Sequence, residues 1–117
     1  MDQVVEKMIE MEQQLRIWHW QTKLFSRHQA YGQTYGALGD LIDSFMEVYM
    51  GKYDRVSAPS SIQLQDLGEN VEEKLDEYTN FLTSISNELS DTDTDLLNIR
   101  DEILALLNKL KYLLTLK

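Results

Sequence analysis

Both histidines of the chain, His19 and His28, lie on one continuous stretch with three carboxylates, Asp40, Asp43 and Glu47. Imidazole nitrogens together with carboxylate oxygens suit iron, manganese or zinc. Asp43 and Glu47 are four residues apart, hence neighbours on one face of a helix, and Asp40 lies three before Asp43 on the same side. From His28 to Asp43 a helix turns through roughly 1500°, about 60° past four full turns, so the two share a broad face. They are also about 22 Å apart along the axis. One chain therefore cannot bring them to one metal ion. A second copy of the helix, antiparallel across a two-fold axis, sets the His28 end of one chain against the Asp43 and Glu47 end of the other and makes two such sites. The competing reading is plainer: these are solvated polar positions, or His28 and Asp43 form an ion pair at an interface.

The elements that would position these groups follow from hydrophobic periodicity. Val4, Met8, Met11, Leu15 and Trp18 recur in steps of four and three, which predicts a helix to about Thr22 with Asp2 as its N-cap. His19 closes that helix. A break at QTKLFSR leads to a second helix from Ser26 or Arg27, with the stripe Tyr31, Tyr35, Leu38, Ile42, Phe45 and Tyr49 and with Gly51 as its C-cap. Gly32, Gly36 and Gly39 lie on one face of it. Each costs about 1 kcal/mol against alanine, so close approach of a neighbouring helix is expected there. MGKYDRVSAPSSIQ, with the single proline Pro59, is a loop. The third helix carries Leu64, Leu67, Val71, Leu75, Tyr78, Leu82, Ile85 and Leu89, with Gly68 weakening its first turns so that an ordered start after Gly68 is the alternative. SDTDTD is a turn running into a helix start, so capping accounts for Asp91, Asp93 and Asp95 better than a calcium loop does. The fourth helix is apolar on two faces, one of them Leu96, Ile99, Ile103, Leu106, Leu110 and Leu113. Two helix pairs joined by one longer loop predict an all-α fold, a single domain over residues 1–117: a four-helix bundle with a crossover between its second and third helices.

Composition narrows the function. Twenty acidic against eleven basic residues leave a net charge of −9, which opposes the phosphate backbone, so nucleic acid is not an expected partner. With no cysteine, thiol chemistry and zinc–thiolate sites are excluded. No apolar run is long enough to span a bilayer, no membrane partner is expected, and no leader is recognisable, which fits a cytoplasmic location.

The stretch also resembles the Dps proteins, the miniferritins of the ferritin-like superfamily. Their signature is a His-Trp late in the first helix, a second His at the start of the next, and an Asp-x-x-x-Glu fifteen residues on. Here those are His19-Trp20, His28 and Asp43-Ser-Phe-Met-Glu47. The resemblance runs along almost the whole chain. It implies a ferritin-like bundle whose two-fold-related subunits bind iron between them, histidines from one and Asp43 and Glu47 from the other. It implies oxidation of Fe(II), iron storage and a closed homo-oligomer. Short Dps-like proteins of tailed phages are similar too, which would place the chain in a host cytoplasm or a virion. Three features depart from the pattern. Gly32 stands where that family usually carries an Asp, the corner between the histidines is shorter, and the crossover lacks the family's small extra helix. The alternative these departures favour is an oligomeric structural or virion-associated bundle with a vestigial metal site.

Overall fold

The computed structural model describes residues 1–116, most of them in four helices. These are α1 (Asp2–Gln21), α2 (Phe25–Lys52), α3 (Val71–Ser84) and α4 (Thr94–Leu113). A 3₁₀ turn, Ile85–Asn87, extends α3. There is no strand among the described residues.

The expected stripe of α1 is the core: Val4, Met8, Met11, Leu15 and Trp18 are all buried. Tyr31, Leu38, Ile42 and Phe45 of α2 meet them, with Leu75, Tyr78 and Leu82 of α3 and Leu96, Ile103, Leu107 and Leu110 of α4. Burying an aliphatic or aromatic side chain of this size favours folding by about 1.5–3 kcal/mol. α2 packs on both α1 and α4, and α3 packs on α4.

End contacts fix the helix directions. The terminal amine of Met1 lies 3.7 Å from Glu88 just beyond α3. Lys52 at the end of α2 reaches Asp93 and Asp95 at the start of α4, at 2.7 and 2.8 Å. Arg27 near the start of α2 donates to the Leu114 carbonyl just past α4 at 3.2 Å. So α1 and α4 run one way and α2 and α3 the other. Residues 53–70 must then return along the length of the bundle, which is the expected crossover.

Two glutamines of α1 hold that crossover. Gln14 donates from Nε2 to the Gln65 carbonyl and accepts the Gln65 N–H, both at 2.8 Å. Two turns on, Gln21 donates to Asp66 Oδ1 at 2.8 Å and accepts the Leu67 N–H at 2.7 Å. These amides take the place of a helical ladder, which corrects the expectation that Leu64 and Leu67 belong to α3: that helix begins at Val71. Gly51 is likewise not a C-cap. α2 continues through Lys52, and no glycine takes a positive φ. Asp2 sits inside the first turn of α1, with Met1 at the cap.

Candidate functional site

Thr22–Leu24 turns the chain between α1 and α2, and this three-residue corner sets the two histidines face to face. Their rings stack with centroids 3.8 Å apart and planes 18° apart. Each ring is tied to the other residue's backbone: His19 Nδ1 donates to the His28 carbonyl at 2.7 Å, and His28 Nδ1 donates to the His19 carbonyl at 2.9 Å. A carbonyl oxygen can only accept, so in each neutral ring the proton is on Nδ1 and the lone pair on Nε2. Metal-binding imidazoles are commonly oriented through their other nitrogen in this way.

Gly32 explains how His19 fits. A Cβ at position 32 would stand 2.8 Å from His19 Cε1 and 3.0 Å from its Nδ1. Any side chain there would push the ring away, so a carboxylate at 32 and the stacked pair exclude one another. Asp40 does not substitute for it, since two turns of helix set it about 12 Å along the axis from Gly32. At Gly39 an added Cβ would stand in ordinary contact with the Glu12 carboxylate, at 3.4 Å. Gly36 has nothing within 4 Å. Close approach therefore accounts for Gly32 alone of the three, and the approaching group is a polar side chain of α1.

Sequence reasoning missed Glu12 and Arg16. Burial, chiefly, raises the Glu12 pKa; Arg16 opposes the shift and Asp43 adds to it. Arg16 lies 3.9 Å from Glu12 Oε1 and places its guanidinium 4.5 Å over the Tyr35 ring. Tyr35, expected in the core, is half-buried instead, with its ring 5.2 Å from His19 in an edge-on arrangement. The signal was present: Glu12, Arg16 and His19 repeat in steps of four and three along α1, each one residue after a member of the apolar stripe and so flanking it. Along the α1–α2 seam these side chains make a polar track from Glu12 to His28.

Asp43 and Glu47 are exposed a turn apart on α2, and Asp40 is exposed as well. Within one chain no three His, Asp or Glu side chains gather among the described residues. His28 and Asp43 remain at opposite ends of α2, as helix length requires. Of the two tryptophans, Trp18 is fully buried while Trp20 is 64% exposed at the corner, beside Leu24 and Phe25.

Two further polar clusters brace the bundle. Asp93, 2% exposed, accepts from Lys52, from the Tyr53 hydroxyl and from the Ser90 N–H. The first two of these bonds, above all, hold its pKa down to about 2. Buried Glu10 accepts from the Tyr78 hydroxyl at 3.0 Å, with Lys7 and Lys74 at 3.6 and 3.7 Å.

No helix is long and apolar enough to cross a membrane. No solved structure matches the chain. A relative from Enterobacteria phage T4, "Uncharacterized 14.6 kDa protein in mobD-ri intergenic region", is 31% identical over 99 residues, which is 85% of this chain and 75% of the relative. Residues 19–114 match a family of unknown function, DUF5856, a span that holds both histidines, the three carboxylates and the last three helices. With so much of its length matched, the chain is a member of DUF5856.

Proposed function

We propose that the chain binds ferrous iron, its substrate, and oxidises it at a site shared by two copies across a two-fold axis. His19 and His28 of one copy would supply Nε2 ligands, and Asp43 and Glu47 of the other would supply oxygens. The observation that carries this reading is the reciprocal pair of Nδ1–H bonds, which leaves both Nε2 lone pairs uncommitted. Charge along α2 agrees with an antiparallel partner. Its exposed acids, Asp40, Asp43 and Glu47, all lie in the second half, while the first half holds His28 and no acid. Gly36, open between the two ends, lets another helix approach. Carboxylates favour Fe(III) over Fe(II), so electron loss to peroxide or dioxygen is assisted where they bind. Manganese or zinc could occupy the same donor set. The crossover between α2 and α3 is the connection ferritin-like bundles use, which supports the resemblance at the level of fold.

Anaerobic Fe(II) titration, then peroxide, tests the proposal. Saturable binding with a ferric absorbance that is lost in Asp43→Asn is the expected result. Wild type and variant both tracking the buffer blank would refute it.

A second reading is an oligomeric structural or virion-associated bundle that has lost the chemistry. Gly32 favours it, because the His19 ring fills the space where a further carboxylate ligand would stand. The phage relative is compatible with either reading.

A further inference from the structure

A cavity of about 970 Å³ opens at the end of the bundle where α1 and α4 finish and α2 and α3 begin. That size is typical of sites for small organic molecules. Its apolar floor is Leu67, Val71, Leu75 and Leu114. Val71 and Leu75 are 8% and 1% exposed, so the floor is continuous with the core.

Charge around the cavity is sorted by depth. The two half-buried charges that line it, Arg27 and Lys111, are cations, whereas Lys23 and the acids Asp66, Glu69 and Glu72 are exposed at the rim. Lys111 is engaged by Asp76 at 2.7 Å. Arg27 donates to the Leu114 carbonyl through Nη2, and a guanidinium carries further donors. Burial raises the pKa of the wholly buried Tyr31 hydroxyl, and the same guanidinium opposes that rise. The local sequence sets this polarity. In an acidic chain, residues 13–39 hold no carboxylate but do hold Arg16, Lys23 and Arg27.

The surroundings are apolar too. Trp20, Leu24 and Phe25 at the corner are 64%, 58% and 63% exposed, and Tyr112 and Leu116 at the end of α4 are 62% and 46% exposed. Leu24 also lines the cavity, so exposed corner and enclosed floor form one surface. An apolar floor with cations at depth selects a molecule with an apolar body and an anionic end.

We infer that this cavity binds a monomeric anionic amphiphile, a single apolar chain ending in a carboxylate or phosphate. The tail lies over Leu67, Val71, Leu75 and Leu114, and the anionic end takes the free donors of Arg27. The site is independent of the histidine pair and of any partner copy.

Calorimetric titration of the full chain with decanoate, below its micelle concentration, tests this. Decyltrimethylammonium, with the same tail and opposite charge, is the comparison. Two variants separate head from tail. Arg27→Gln removes the cation. Gly68→Trp fills the mouth from an exposed loop position where an added Cβ meets only Asn70 Oδ1, at 3.7 Å, and φ is not positive. Circular dichroism confirms that each variant folds. Saturable decanoate binding is expected, at least about tenfold tighter than the ammonium, with that preference lost in Arg27→Gln and all binding lost in Gly68→Trp. Equal affinity for both surfactants, absence of saturable binding, or binding unchanged in Gly68→Trp would overturn it. Sedimentation with phosphatidylglycerol vesicles in the absence of decanoate binding would also overturn it, and would assign the exposed corner to a lipid surface.

Discussion

Replacing Gly32 with alanine places a methyl group 2.8 Å from His19 Cε1 and 3.0 Å from Nδ1. The imidazole must swing out, which breaks its 2.7 Å bond to the His28 carbonyl and unstacks the rings. The broken hydrogen bond costs about 1 kcal/mol. The lost ring contact costs about 0.5–1.5 kcal/mol. Against this, alanine gains about 1 kcal/mol of helix propensity over glycine. Gly36→Ala supplies the matched control, since nothing lies within 4 Å of a Cβ there and it keeps the propensity gain alone. The two variants should therefore differ by about 1.5–2.5 kcal/mol, with Gly36→Ala the more stable. At this chain length that is about 6–10 °C in Tm. Thermal melts by circular dichroism, at a dilution where sedimentation gives single chains, measure the gap. Nitrogen NMR of the imidazoles shows whether the Nδ1–H tautomer of His19 is lost with it. Equal stabilisation by both substitutions, with the His19 signals unmoved, would refute the placement of the ring.

Other consequences can be checked separately. The Asp93 pKa lies below its ordinary value, so its bonds to Lys52 and Tyr53 stabilise the fold above about pH 4 and fade as pH falls towards 2; Asp93→Asn should lower Tm at pH 7 and flatten the acid limb in that window, as melts across pH would show. Tyr78→Phe takes a hydrogen bond from Glu10, which is 4% exposed, and should cost about 1.5–3 kcal/mol by urea denaturation. Gln14→Ala removes both of its bonds to Gln65 and should loosen the crossover, so trypsin should cut at exposed Arg55 faster than in the wild type while the helix content is kept.

The helices were legible where their apolar period was clean. α1 buries Val4, Met8, Met11, Leu15 and Trp18 as its spacing predicts, because a single stripe has one way to face a core. The α2–α3 connection was only half legible. Leu64 and Leu67 continue the spacing of α3, but the Gln14 and Gln21 side chains bind the backbone at 65 and 67, and long-range bonds of this kind leave no local period. The site divides the same way. That His19 and His28 face one region follows from a short corner. Their mutual carbonyl bonds, and the fit of Gly32 under the ring, depend on the corner's exact geometry. Tyr35 reads as core by period, yet it turns to the polar seam because Arg16 and His19 offer its ring better contacts there.

A site shared across a two-fold axis can be tested by complementation between two defective chains. His28→Ala and Asp43→Asn would be assayed alone and then unfolded, mixed and refolded together, following Fe(II) oxidation by ferric absorbance. If histidines and carboxylates come from different copies, each variant alone is inactive. Mixed pairs then rebuild one intact site of two, so the refolded mixture should recover about a quarter of wild-type activity by random pairing. A mixture as inactive as its components, against an active wild type, would contradict the shared site.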